Sequence, residues 1–295
     1  MISLGNGYWN ARIAETGAEL KSLSNAATGQ EHIWHGDPAW WNGSAPLLFP
    51  VIGGLKGGEY RYEGRSYKLP SHGFARGSEF ALVGASPESA EFKLAASDAT
   101  RAGYPFDFSL SVTFTLTRAG IDARYLVRNV GTGPMLFSIG SHPAFVVPFA
   151  GGVLENYYLL FEFEEELERW FFKDGVIVAG KTAEVMENRR VISLDRHCFD
   201  DGIMIFKNPR SREFTIANSR NSSALRVITD GVPYLGLWSK PGAPFVCIEP
   251  WHGIPDMSDA TGELTEKEGI LTLAPAGEFV TGYRVEISCL AGNSS

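Results

Sequence analysis

The run FSLSVTFTLT at Phe108–Thr117 constrains this chain more than any other segment. Phe108, Leu110, Val112, Phe114 and Leu116 alternate with Ser and Thr, and a period of two places all five on one face of a β-strand. On a helix the same five side chains would be scattered around the axis. Similar short runs fill the chain: Ile121–Val130, Gly202–Lys207, Glu213–Ala217, Ala224–Thr229, Tyr234–Trp238, Phe245–Glu249, Gly269–Leu273 and Gly282–Leu290. Between them lie turn residues. In Glu59–Lys68 the pair Glu63-Gly64 separates two Tyr-rich arms, as a hairpin requires. Leu160–Trp170 is ambiguous, with acidic helix formers behind a Phe-Glu-Phe start that alternates like a strand. Many short strands and little helical signal predict an all-β fold, a large antiparallel sandwich spanning residues 1–295 as one domain.

Composition narrows the partners. The 295 residues carry a formal net charge of -8, which repels phosphate backbones and argues against nucleic acid. No basic amphipathic stretch or long apolar run points to a membrane. Met1–Asn10 lacks a basic region followed by an apolar one, so a cytoplasmic protein is expected. Cys198, Cys247 and Cys289 are odd in number and widely spaced, which fits buried thiols rather than a disulfide framework or a CxxC zinc site. His32 and His35 lack a third ligand at metal spacing, and no metal is expected. The phosphate-cradling glycine motifs and the GxSxG elbow are also missing, which removes nucleotide-dependent and serine-hydrolase chemistry.

Three segments place titratable residues beside Gly, Pro or aromatics at strand ends, where side chains point into clefts. In Pro70–Gly77, His72 and Arg76 flank a turn and suit hydroxyl and oxyanion binding, or form an ordinary surface loop. In Gly140–Phe145, Pro143 forces His142 into extended geometry; His142 is either a proton-transfer group or a structural strand-end histidine. In Phe245–Gly253, Glu249 ends an apolar strand beside Trp251. Desolvation there would make Glu249 a better base, with Trp251 packing on a sugar ring; the alternative is a carboxylate paired with an Arg. The pair Trp40-Trp41 either lines a pocket or belongs to the core, and the core reading is preferred.

Taken in order, PLLFPVIGGLKGGEY, SHGFAR, SHPAF, DDGIMIFK and KPGAPFVCIEPWHGI resemble the aldose 1-epimerase, or galactose mutarotase-like, family, and in particular its bacterial lactose-operon-like subgroup. The resemblance implies a β-sandwich with a sugar on one sheet, Glu249 as general base and His142 as general acid. It implies sugar contacts from His72, Arg76 and Asp201, with Asp200 the second choice for the last. It also implies interconversion of the anomers of a free aldose without a cofactor, with a small-molecule sugar as partner and a monomer or homodimer as the working unit. Two departures stand out: Gly54 where relatives often carry Arg, and Ser141 where Gly is common. Lys56 lies near the first but lacks the planar fork of Arg. The alternatives are epimerisation of a hexose 6-phosphate and a non-catalytic carbohydrate-binding module on the same fold.

Overall fold

The computed structural model describes residues 1–288; Cys289 lies outside them, as does the end of the run read as Gly282–Leu290. Alternation of side chains produces two large antiparallel sheets. The first has nine strands, with Tyr157–Phe161, Glu213–Asn218, Ala224–Thr229, Glu278–Ser288, Gly120–Asn129 and Phe108–Leu116 at its centre. The second has eight, running from Val176–Ala183 through Arg169–Lys173, Met204–Lys207, Tyr234–Trp238 and Phe245–His252 to Ile139–Ser141 and Leu47–Leu48. Ala144–Val146 also pairs with Phe245–His252. A three-stranded sheet of Ile2–Gly5, Trp9–Ala14 and Glu19–Asn25 precedes them.

The main core lies between the two large sheets. Leu110, Val112, Val127 and Val285 from the nine-stranded sheet share one buried cluster with Phe206, Leu235, Leu237, Val246 and Ile248 from the eight-stranded sheet. Each such side chain contributes roughly 1.5–3 kcal/mol on burial. The opposite face of the eight-stranded sheet is also apolar: Phe245, Cys247 and Trp251 alternate with the core residues and pack in separate clusters. A sheet apolar on both faces has more to cover than one partner sheet can reach, and its outer face carries the candidate site.

Two local features differ from the sequence reading. Leu160–Trp170 is not one element: one strand ends at Phe161, another starts at Arg169, and the acidic residues between them bridge to a neighbouring turn. There the buried Glu165 accepts hydrogen bonds from the backbone N–H groups of Arg210 and Ser211, at 3.1 and 2.7 Å. A short helix at Asp98–Gly103, capped by Ser97, had no apolar periodicity to announce it. The Glu59–Lys68 hairpin forms as expected, with Glu63 and Gly64 both at positive φ.

Candidate active site

Strand register brings His142 and Glu249 together. Gly140 lies opposite Trp251 and Ala144 opposite Cys247, so His142, midway between them, falls opposite Glu249. Pro143 lacks a donor, yet its carbonyl still accepts from the Ile248 N–H at 3.3 Å and keeps the two segments in step. His142 is tied on its other side by its own N–H to the Pro46 carbonyl, at 3.0 Å. The imidazole Nε2 stands 3.3 Å from Glu249 Oε2. Glu249 has no exposed surface, and neither of its oxygens has a hydrogen-bond partner among the described residues.

Burial dominates the electrostatics of the pair. It raises the Glu249 carboxyl well above the usual carboxylate range, opposed only by the nearby Trp251 indole N–H. It pushes His142 well below the usual imidazole value, helped by the neighbouring His72 and by the Arg76 charge. Both effects favour a neutral pair holding a single proton.

His142 is boxed in by rings. Trp41 stacks on its face with centroids 4.7 Å apart, while Trp238 and His72 meet it edge-on at 5.5 and 5.9 Å. Trp41 packs against the apolar cluster of Phe245 and Cys247, as the core reading expects, and also covers His142, as the pocket reading does. It is half-buried, because the irregular segment between Gly36 and Gly43 folds back over the sheet. Its carbonyl is held there by the Trp34 indole N–H at 2.8 Å.

His72 adopts a left-handed φ of 66°, uncommon for a residue with a side chain. Reciprocal bonds hold it: its N–H donates to the Gly53 carbonyl at 2.8 Å, and the Gly53 N–H donates to His72 Nδ1 at 3.1 Å. With Nδ1 accepting, the ring proton sits on Nε2, free to donate to a ligand. Burial, with the Arg76 charge, lowers its pKa to about 4 and keeps the ring neutral. Arg76 is exposed and has no ion-pair partner among the described residues.

Other candidates stand apart. Asp201 is exposed, and its carboxylate lies 3.8 Å from Arg169; Asp200 pairs with His197 at 2.8 Å. Trp251 lies beneath the site rather than lining it. Its indole spans Gly140 and Gly236, at either of which a Cβ would come within 2.7 Å of the ring, and an apolar cluster covers it. No sugar face can reach Trp251 in this conformation. At Gly54 a Cβ would meet the Gly175 carbonyl oxygen at 2.2 Å, so the hairpin turn at Gly175 fills the space an arginine would need. Lys56 turns away and donates to the Ala260 carbonyl at 3.0 Å. Two neighbours have no role at the site in the sequence reading: Trp238, and Cys247, expected there only to be a buried thiol; their strand parity matches that of Glu249 and its cross-strand partner Gly236.

A catalytic-looking acid–imidazole pair on the outer face of a large antiparallel sandwich narrows the comparison with known proteins. The family model for aldose 1-epimerase matches residues 1–272. The chain belongs to that family. Protein LacX (chromosomal) of Lactococcus lactis subsp. lactis is 30% identical, over 97% of this chain and 99% of that protein. The solved galactose mutarotase related enzyme from Lactobacillus acidophilus superposes with a TM-score of 0.92 at 31% identity, covering 99% of this chain and 98% of that one. A galactose mutarotase-like protein from Lactobacillus casei ATCC 334 gives 0.91 at 31% identity, covering 98% and 100%. Membership in the aldose 1-epimerase family implies an isomerase-type enzyme acting on a sugar. Among the described residues no helix is long and apolar enough to cross a membrane.

Proposed function

We propose that this member of the aldose 1-epimerase family interconverts the α and β anomers of a free aldose, with Glu249 as general base and His142 as general acid. The observation that carries the proposal is the 3.3 Å contact between His142 Nε2 and a fully buried Glu249 carboxylate without hydrogen-bond partners. Ring opening removes one proton from the C1 hydroxyl and adds one to the ring oxygen. A pair holding a single proton can do both. Before the sugar binds, the pair's proton is on Glu249; it passes to His142 as the polar sugar hydroxyl takes its place and leaves Glu249 ionised. Glu249 then draws off the hydroxyl proton while His142 protonates the ring oxygen. The C1–C2 bond rotates, and closure on the other carbonyl face runs the transfers in reverse. Neither a covalent intermediate nor a cofactor enters the sequence. His72 Nε2–H supplies a donor to a sugar oxygen. Trp41, stacked over the imidazole, swings aside to admit the ring.

Each positioned acid or base is worth roughly 10²–10⁴-fold. Glu249→Gln and His142→Asn are each expected to lower kcat/KM for mutarotation, followed by polarimetry, by about that factor while the far-ultraviolet circular dichroism stays unchanged. A near-native rate from either variant overturns the assignment. Arg76, exposed and without an ion-pair partner among the described residues, supports a second reading, an aldose carrying a phosphate. Saturation-transfer NMR on glucose and glucose 6-phosphate separates the two.

A further inference from the structure

Cys247 takes no part in the acid–base scheme, yet it points to the same place. It lies two residues before Glu249 on one strand, so both side chains project from the same face. The donor atoms of His142, Cys247 and Glu249 lie within 4.8 Å of one another, and all three residues are buried. No spacing in the sequence announces this set, because His142 lies in the link between two short strands and meets Cys247 and Glu249 only through the register of both with Phe245–His252.

We infer that His142, Cys247 and Glu249 form a binding site for a thiophilic divalent cation, zinc above all, whose occupancy excludes the sugar. The donor set is one imidazole nitrogen, one thiolate and one carboxylate oxygen, the mixture that zinc accepts. Donors around a tetrahedral zinc, with bonds of about 2.0–2.3 Å, stand roughly 3.4 Å apart. The histidine and the carboxylate already stand 3.3 Å apart. Both Glu249 oxygens lack a partner in a buried setting, and a cation gives one of them a ligand bond. Three protein ligands leave the fourth position to water. The ion displaces the proton held by the His142–Glu249 pair and the thiol proton of Cys247. It therefore takes away the groups that would move protons on a sugar, and metal and sugar compete.

Cobalt(II) reports the site directly and independently of catalytic activity, so failure of this inference is distinct from failure of the proposed function. The experiment uses the full chain carrying Cys198→Ser and Cys289→Ser, which leaves Cys247 as its one thiol. Added cobalt is expected to give a thiolate-to-metal charge-transfer band in the near ultraviolet, which zinc abolishes by displacement. Adding Cys247→Ser is expected to remove the band and weaken zinc binding, measured by calorimetry, at least about 100-fold, since loss of even an outer-shell partner costs 10–100-fold. Glu249→Gln, with Cys247 kept, is the second test and is expected to weaken zinc by a similar factor. Absence of the band while Cys247 is present, or zinc affinity unchanged by Glu249→Gln, overturns the site.

Discussion

Replacing Glu249 with methionine is expected to make the protein more stable and catalytically dead. The carboxyl group has no exposed surface, and neither oxygen has a partner. A buried polar group left unpaired costs about 1–3 kcal/mol, and methionine fills nearly the same volume without polar oxygens. The variant should therefore gain about 1–3 kcal/mol at neutral pH. The pH dependence gives a sharper test. Burial raises the folded-state pKa of Glu249 above its ordinary value of 4.5. A raised carboxyl holds its proton in the folded state after the unfolded chain has released it. Its contribution is most favourable below pH 4.5 and is lost as pH rises toward the folded value. The advantage of Glu249→Met should accordingly grow between pH 4.5 and pH 7.5. Urea denaturation of both proteins at the two pH values, with equal m-values, measures it. If the variant is less stable at pH 7.5, or its advantage is the same at both, the carboxyl is not an unpaired, desolvated group.

Trp41→Ala should solvate His142, because the stacked indole is part of what buries it. The acid limb of kcat/KM, set well below 6.5 by burial, should then move up toward the ordinary histidine value, and an unmoved limb would show that Trp41 does not cover the imidazole. Gly54→Ala should destabilise the fold by about 1–3 kcal/mol, because its Cβ is driven against a backbone oxygen. Gly54→Arg should be worse and gain no turnover; a stable Gly54→Arg variant with enhanced activity would mean that the Gly175 turn yields readily.

Much of the sandwich was legible because its strands alternate so regularly. Ala224–Thr229 and Tyr234–Trp238 have the bounds expected, and Phe245–Glu249 merely runs on to His252. The acidic stretch after Phe161 was not, because tertiary bonds from Glu165 replaced the local helix its composition favours. At the site, His142 and Glu249 stood out through their strand-end setting and family likeness, but their separation follows from a register that no local pattern encodes. Trp41 serves both of the uses the sequence left open, and the reason is physical. Hydropathy tells an indole to leave water, not whether it will enter a core or close over an imidazole. Gly54 looked like a lost arginine, whereas the backbone of a distant hairpin occupies that position.

The acid sits on a strand and the imidazole in the two-residue link between two short strands that both pair with it, while the indole that closes over them belongs to an irregular segment between two glycines. Reactivity and admission are thus written in separate parts of the chain. Grafting a different six-residue flap onto the same ladder offers a way to change what reaches the acid–imidazole pair without disturbing the pair itself.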